Sequence, residues 1–445
     1  MPNPLVIIHG WSDNSASFKQ LAIALQTRLK RAARLINLAD YVSMDDEVTY
    51  DDLVTALSFA WQVNKLPNTP SSVDVIVHST GGLIIRDWIS RNFTPQTVPI
   101  KHLVMLAPAN FGSALAHKGN AFYGRIIKGF NSQKLLQVGA KLLKGLELAS
   151  PYSWQLAQRD RFGTKNFYGP DNILCTVLIG NTGYKGISAA ANEDGSDGTV
   201  RIACANLNCA YIKADFSQDP LNPTYTLARS KGTTAFAVLD KENHSTITNK
   251  DNSAQNPDTL NYIYQALTVT DKDFPAWCKT LTDKTSQLMQ QGTTKSATHG
   301  FQNTVSFVHD QFDQHIQDYF LEFYGDEENL HWLAQLFHGG IITTTHAYIG
   351  DTSFRSLYMD CTLLQQELTK DWQTLNISLT ALPEFKRNGN VGYRTFTDKD
   401  IGAIAIAKTK INEIFTANRT LLLEILLRRE QAETLLTIQP LSEKT

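Results

Sequence analysis

The stretch VIVHSTGGLIIRDWI, from Val75 to Ile89, decides the fold, because an apolar β-branched run passes through a serine and two glycines into a helix-like segment. This order predicts a tight strand-to-helix turn of the kind that presents a nucleophile in the pattern G-x-S-x-G, with Ser79 at its tip. Gly81 and Gly82 provide the small residues after the serine. Val77 replaces the first glycine of the pattern, so these residues alone leave Ser79 open between a nucleophile and a cap of the following helix.

Segments typical of strands and of helices alternate on both sides of this turn. The strand-like segments are PLVIIHGW, ARLINLADY, VDVIVHS, KHLVMLAP, ILCTVLIGN and TAFAVLD, and the helix-like ones are FKQLAIALQTRLK, DDLVTALSFAWQV and GGLIIRDWISRNF. Strands separated by helices imply crossover connections, so we predict an α/β fold with a mostly parallel sheet. Residues 112–172 interrupt the alternation, which predicts either a cap insertion or a few extra core helices.

The hydrophobic period changes in the last third of the chain. The polar stretch QQGTTKSATHG, from Gln290 to Gly300, predicts a boundary between a catalytic α/β domain at residues 1–290 and a second domain at residues 300–445. In the second domain, TLNISLTAL alternates apolar and polar residues as a half-buried strand does. Further segments predicted as strands are NTVSFVHDQF, HIQDYFLEFYG, SLYMDCTLL and ETLLTIQPL, whereas KDIGAIAIAKTKINEIF favours a helix and RTLLLEILLRRE fits either. This pattern predicts a β-rich, sandwich-like C-terminal domain.

Composition and charge argue against several classes of protein. The 445-residue chain has a formal net charge of −2, so no basic surface points to nucleic acid. Its 5 cysteines form no C-x-x-C pair and no H-E-x-x-H motif occurs, which predicts buried thiols and no zinc site. The hydrolase reaction considered below requires neither a metal nor an organic cofactor. The N-terminus MPNPLVIIHGW lacks a positive region, and no apolar run approaches about 18 residues, so we expect neither a signal peptide nor a membrane-spanning helix.

An acid and a base follow Ser79 in the chain order Ser, Asp, His that α/β hydrolases use. The loop NEDGSDGTV, after the strand ILCTVLIGN, offers Asp197 as the acid and Asp194 as the reserve. The segment DKENHSTIT, after the last predicted α/β strand, offers His244 as the general base. The alternatives are a solvated or cation-binding acidic turn and an ordinary surface histidine.

Two backbone N–H groups are candidates for an oxyanion hole. The segment IIHGWSDN places His9 and Gly10 directly after the first strand, where this dipeptide bends the chain beneath the nucleophile in lipase-like hydrolases. The N–H groups of Trp11 and Thr80 would then point at a developing oxyanion. An ordinary strand end is the alternative for this dipeptide. His78, beside the predicted nucleophile, is expected to shape the turn or pack locally.

These motifs together resemble one known family. The segments HGWSDN, VHSTGGL, LAPANFGSALA, GSDGTV and NHSTI resemble those of the PlaB-type bacterial phospholipases A and lysophospholipases, over nearly the whole chain. The resemblance implies an α/β-hydrolase fold with a β-rich C-terminal domain, Ser79 as nucleophile, Asp197 as acid and His244 as base. The sequence HSTGG is itself a mark of that group, which accounts for Val77 without giving a physical reason for it.

The resemblance also implies a reaction and a place of action. It implies hydrolysis of fatty acyl esters of glycerophospholipids and lysophospholipids without a cofactor. It further implies peripheral membrane association in a bacterium, at the outer membrane, or otherwise a cytoplasmic location. A requirement for the C-terminal domain and assembly into homo-oligomers with altered activity are also implied. Two other functions remain open: a soluble carboxylesterase or neutral lipase, and a catalytically inactive hydrolase-like protein that binds a membrane or a partner.

Overall fold

A computed structural model of the chain describes residues 2–9, 18–41, 47–116, 140–186, 189, 192–292, 298–326, 330–367, 372–382 and 401–429. Its strands are β1 (Leu5–His9), β2 (Ala33–Asn37), β3 (Val73–His78), β4 (Ile100–Leu106), β5 (Leu174–Gly180), β6 (Ala210–Asp215), β7 (Thr224–Arg229), β8 (Ala235–Leu239), β9 (Phe301–Asp310), β10 (Asp318–Tyr324), β11 (Ile342–Ala347), β12 (Phe354–Asp360), β13 (Thr374–Leu382), β14 (Ile404–Ala407) and β15 (Arg419–Leu427).

The helices lie between these strands and after them. They are α1 (Lys19–Leu29), α2 (Tyr50–Val63), α3 (Gly81–Asn92), α4 (Ala140–Leu146), α5 (Pro151–Asp160), α6 (Ile202–Ala205), α7 (Thr259–Ala266), α8 (Phe274–Gln291), α9 (Leu330–Leu336), α10 (Cys361–Glu367) and α11 (Ile411–Ile414). Short 3-10 helices cover Leu38–Asp40, Thr246–Thr248, Lys250–Asn252 and Lys408–Lys410, and a short π-helix covers Phe337–Ile341.

The first sheet has the order β2-β1-β3-β4-β5-β8, and every neighbouring pair in it is parallel. Its strand β5 is buried along its whole length and β3 as far as Val77, as expected for a parallel sheet covered on both faces. The predicted α/β fold is therefore confirmed. The carboxyl ends of β3, β5 and β8 lie at one edge, and the loops that follow them carry the predicted site residues.

The second sheet has the order β11-β12-β9-β15-β6-β7, and a three-stranded antiparallel sheet has the order β10-β13-β14. The predicted β-rich C-terminal region is thus confirmed. Its strand β15 is central, parallel to β9 on one side and to β6 on the other. The segment RTLLLEILLRRE, which fitted either a strand or a helix, is therefore a strand. Because β6 and β7 precede residue 290, the second sheet includes part of the first predicted domain; the division at residues 290–300 stays a prediction.

One predicted helix is wrong. In the segment KDIGAIAIAKTKINEIF, Ile404–Ala407 forms β14, and only Ile411–Ile414 forms one helical turn. Ile404 and Ile406 are buried while the alanines beside them are exposed, so the local period is two residues rather than the helical 3.6. The segment SLYMDCTLL is a strand only as far as Asp360, after which α10 begins. The predicted strand in ETLLTIQPL lies outside the described residues.

The predicted insertion at residues 112–172 is described in part, since residues 117–139 lie outside the described chain. Its last helix, α5, is tied to α3 by a bidentate ion pair between Arg86 and Asp160, with both N···O distances 2.8 Å and both side chains fully buried. Trp154 of the same helix contacts Phe307 and Phe354 of the second sheet, at centroid distances of 5.6 and 5.8 Å. This end of the insertion is therefore packed between the two sheets.

Candidate active site

Ser79 lies on a tight turn between β3 and α3. Its φ is 54°, in the left-handed region that residues other than glycine rarely adopt. The turn is held on both sides: the Ser79 N–H donates to the Leu106 carbonyl at 3.2 Å, and the Ser79 carbonyl accepts from the Ala109 N–H at 3.2 Å. Backbone strain that neighbouring strands hold in place is common at functional sites.

The residues around Ser79 explain how the turn forms without the first glycine of the usual pattern. Gly82 is a position with no room for a side chain, because an added Cβ would lie 2.7 Å from the Pro108 Cβ. Val77 is fully buried in β3, between Ile8 of β1 and Met105 of β4. The valine is therefore accommodated between two parallel neighbours, and Ser79 keeps its left-handed conformation beside it.

His244 lies in the loop that follows β8. This loop is anchored by Glu242, a fully buried carboxylate. Glu242 accepts hydrogen bonds from the Thr259 hydroxyl at 2.6 Å and from the backbone N–H groups of Gln255 and Asn256 at 3.1 and 3.0 Å. Since a buried carboxylate is stable only when its oxygens are hydrogen-bonded, Glu242 fixes the course of the loop.

Asp197 is fully buried in the loop that follows β5. One oxygen, Oδ1, accepts the backbone N–H groups of Thr199 at 2.9 Å and Val200 at 2.7 Å. The Asp197 carbonyl accepts the His244 N–H at 3.0 Å, which joins the two loops through their backbones. These bonds orient the carboxylate and leave Oδ2 directed at the imidazole.

The three side chains form one hydrogen-bonded chain. Nε2 of His244 lies 3.0 Å from Oγ of Ser79, and Nδ1 lies 2.8 Å from Oδ2 of Asp197. Ser79, His244 and Asp197 are only 4%, 1% and 0% exposed, so water competes little for these bonds. The side chain of Asp194, the reserve acid, is exposed. The structure therefore places Asp197 against the imidazole.

This arrangement is suited to nucleophilic acyl transfer. With its proton on Nδ1, His244 donates to Asp197 and accepts from the Ser79 hydroxyl; this tautomer follows from the partners of the two nitrogens. An imidazole so placed can remove the hydroxyl proton, which a serine needs because its hydroxyl alone is a weak nucleophile. The buried carboxylate can hold the tautomer and stabilise the imidazolium that forms.

The other predicted site residues are placed as follows. His78 packs on His244 with ring centroids 4.7 Å apart, and its Nε2 lies 2.9 Å from the His244 carbonyl oxygen. Thr80 directly follows the turn, with φ −58° and ψ −23°, so its N–H stays a candidate oxyanion donor. Gly10 and Trp11 lie outside the described residues. His9 ends β1, and only its backbone is described.

The described residues show no arrangement typical of a metal centre or of a membrane span. Among the described residues, no group of three or more His, Cys, Asp or Glu side chains is arranged to hold a metal ion. All five cysteines are free; four are buried, as predicted, whereas Cys278 is partly exposed. Within the described ranges, no helix combines the length and apolar character needed to cross a bilayer.

Three residues that support the site escaped the sequence reasoning. Glu242 stands two residues before His244 and looks like one more polar loop residue. Arg201 and Tyr358 hold the loop of Asp197, but 156 positions separate them in the chain, so no local motif joins them. A signal could have come from Arg201 alone, since it stands a few residues after the acids of the loop NEDGSDGTV; in the structure it pairs with Glu193 at 2.8 Å.

Fold and sheet topology define an α/β-hydrolase fold that carries a β-rich C-terminal region. The structure matches phospholipase PlaB from Legionella pneumophila with a TM-score of 0.81 and 23% identity, over 100% of this chain and 98% of that chain. It matches the same phospholipase in complex with thio-NAD with a TM-score of 0.80 and 24% identity, over 100% and 97% of the two chains. No protein-family model and no curated protein matches the chain. The expected resemblance to PlaB is therefore confirmed at the level of the full-length fold.

Proposed function

We propose that this protein is a serine hydrolase that cleaves fatty acyl ester bonds of glycerophospholipids and lysophospholipids. The observation that carries the proposal is the chain of hydrogen bonds from Ser79 through His244 to Asp197, at 3.0 and 2.8 Å, with Ser79 in a left-handed conformation on a strand-to-helix turn. Helix capping, the other interpretation of Ser79, has no support, because the N-cap of α3 is Thr80 and the Ser79 hydroxyl lies against Nε2 of His244.

The proposed reaction proceeds through an acyl-enzyme. Oγ of Ser79 attacks the acyl carbonyl carbon while Nε2 of His244 takes its proton, and the carbonyl oxygen becomes an oxyanion near the Thr80 N–H. Collapse of this intermediate breaks the ester bond, and His244 returns the proton to the departing alcohol, a lysolipid or a glycerophospho-alcohol. Water then attacks the acyl group with His244 again as base, which releases the fatty acid and restores Ser79.

The lipid substrate is a finer proposal than the reaction type. It is supported by the fold shared with a protein that is itself a phospholipase, over nearly the full length of both chains. The motifs around Ser79, Asp197 and His244 add support, since they resemble the same family in sequence. On the same grounds we propose membership of the PlaB-type family, peripheral association with a bacterial membrane and assembly into homo-oligomers.

Replacement of the nucleophile tests the reaction. Ser79→Ala should lower kcat/KM for a phospholipid by at least about 10⁴-fold and abolish labelling by a fluorophosphonate probe, with an unchanged thermal midpoint. Ser90→Ala is the matched control, because Ser90 is a buried serine of the same region whose hydroxyl donates to the Asp87 carbonyl within α3. Retained hydrolysis in Ser79→Ala would refute the proposed reaction.

A substrate panel tests the lipid proposal separately. Phospholipid vesicles, lysophospholipid and a short-chain p-nitrophenyl ester are compared with the same enzyme preparation. A phospholipase A or lysophospholipase should hydrolyse the two lipids with the higher kcat/KM. A preference for the soluble ester would favour a carboxylesterase, and no labelling of folded protein would favour an inactive scaffold.

A further inference from the structure

The loop that carries Asp197 is braced from outside the α/β sheet. This acid loop, residues 192–201, closes on itself where the Ile202 N–H donates to the Gly195 carbonyl at 2.8 Å and where Arg201 pairs with Glu193. Within it, the Ser196 hydroxyl donates to the Glu193 carbonyl at 2.7 Å. The loop is thus a compact unit, and its position depends on what holds it from outside.

One outer contact, beside the backbone bond from His244 to Asp197, is a tyrosine of the second sheet. Tyr358 lies on β12, is 3% exposed, and directs its hydroxyl at the carbonyls of Asp194 and Gly195, at 3.0 Å each. The single hydroxyl proton is shared between the two acceptors in a three-centre bond. Burial raises the pKa of Tyr358 well above 10, so the hydroxyl stays a donor at every working pH.

The ring of Tyr358 is itself held between two neighbours. Phe301 of β9 stacks on one face, with centroids 4.8 Å apart and planes 16° apart. The Arg201 guanidinium lies 4.1 Å from the ring centroid, a cation–π distance. The same guanidinium donates to the Thr344 hydroxyl at 2.9 Å, and so reaches a second strand of that sheet.

The Tyr358 ring and the acid loop are in close contact at Gly195. Gly195 has a φ of 67°, and a Cβ added there would lie 2.4 Å from the Tyr358 hydroxyl and 2.5 Å from Cδ2 of Phe301. The backbone of the loop therefore lies directly on the two aromatic rings. Asp197 follows Gly195 by two residues, so a shift of Gly195 is carried to the carboxylate.

We propose that Tyr358 is a positioning residue that holds the acid loop so that the carboxylate of Asp197 stays on the imidazole of His244. The proposal rests on the proposed function, because it needs Asp197 to be the acid. It assigns the second sheet a part in catalysis through one side chain. Tyr358 touches no reacting atom, and its hydroxyl acts through the Asp194 and Gly195 carbonyls.

Removal of the hydroxyl alone is the test. Tyr358→Phe keeps the ring, its stacking on Phe301 and its contact with Arg201, and loses only the two bonds to the acid loop. We expect kcat to fall by about tenfold, since a small misplacement of a catalytic group is costly, while KM changes by less than about twofold. Tyr319→Phe is the matched control: Tyr319 is 3% exposed in the same region, and its hydroxyl bonds Ser306 at 2.7 Å, away from the acid loop. It should lose similar stability and keep its kcat.

The same substitution in an Asp197→Asn background separates positioning from general structural damage. If Tyr358 acts through Asp197, the double variant should be no slower than Asp197→Asn alone, because the acid that it positions is already gone. An unchanged kcat in Tyr358→Phe, or a full tenfold loss that persists in the double variant, overturns the inference while the proposed reaction stands. Full activity in Asp197→Asn would instead remove the acid from the proposed function, and the positioning role with it.

Discussion

The turn that carries Ser79 and the loop that carries Asp197 are held by different parts of the molecule. The first is fixed inside the parallel sheet, by hydrogen bonds with Leu106 and Ala109 around a glycine that admits no side chain. The second is joined to the loop of His244 by the His244 N–H on the Asp197 carbonyl, and it is braced in addition by Tyr358, a residue of the other sheet. The nucleophile is thus placed within one sheet, whereas the acid depends also on a contact with the other.

The loop of His244 belongs with the first of these two regions. Its anchor, Glu242, is bonded to residues of the same segment and of α7, and the Glu242 carbonyl lies against Gly180 of β5, where an added Cβ would come within 2.0 Å. The nucleophile and the base are held within one sheet, whereas the acid is also braced by the other. The acid should therefore be the part of the site most sensitive to changes in the second sheet.

Among the tests of this comparison, replacement of the acid, Asp197, should have the largest effect on activity. Asp197→Asn should lower kcat by about 10⁴-fold, because an amide at that position favours the wrong tautomer of His244. Asp194→Asn is the matched control, three residues away with an exposed side chain, and should keep activity within about twofold. Steady-state kinetics with a phospholipid substrate check both. A large loss in Asp194→Asn with none in Asp197→Asn would reverse the two assignments.

A glycine at the nucleophile turn gives the next effect. Gly82→Ala should lower the free energy of unfolding by about 2 kcal/mol and slow hydrolysis, because the new methyl group meets Pro108 at 2.7 Å and pushes α3 off the turn. Gly339→Ala is the control, since nothing lies within 4 Å of its added Cβ. Urea denaturation checks the stability. A Gly82→Ala protein as stable as the wild type would show that the close approach to Pro108 is not needed.

A third effect, on stability alone, concerns the centre of the second sheet. Glu424 on β15 accepts from His309 at 3.1 Å, from the Tyr211 hydroxyl, and pairs with Lys213 at 3.3 Å. Burial raises the pKa of Glu424, but these partners together lower it by more, so the net pKa falls from 4.5 to about 2. Because the folded-state pKa is the lower one, the stabilisation is complete above pH 4.5 and is lost as the pH falls towards 2.

We therefore expect Glu424→Gln to cost about 2 kcal/mol of unfolding free energy near pH 7, and less than half of that at about pH 3. Chemical denaturation at both pH values measures the difference. Glu413→Gln, at an exposed glutamate of the same region, should change little at either. A cost in Glu424→Gln that does not depend on pH would mean that packing, and not charge, is what the side chain contributes.

The sequence predicted much of the parallel sheet and its site residues, and less of the second sheet and the C-terminal strands. Ser79, Asp197 and His244 could be proposed together because α/β hydrolases place these groups after particular strands in a particular order, and chain order is visible in a sequence. Val77 looked like a defect in the motif. Its acceptance depends on the space between β1 and β4, and strand neighbours are not visible in a local pattern.

The errors in the C-terminal strands and in the second sheet have a common cause. The helix predicted around Ile404 rests on isoleucines whose spacing suits a helix, but pairing with β13 imposes the alternation of a strand. β6 and β7 were not predicted, and they join the second sheet by pairing β6 with β15, more than 200 residues away in the chain. Such long-range pairing overrides local preference because each strand gains its stability from its neighbours.

Local apolar periods, turn residues and chain order were enough to propose an α/β fold with Ser79, Asp197 and His244 at its edge. Only the folded chain decided between Asp197 and Asp194, since both stand in the same acidic loop and differ in which one the loop buries against the imidazole. The folded chain alone also brought Tyr358 to that loop. Contacts between distant segments depend on how two sheets pack, and no short stretch of sequence carries that information.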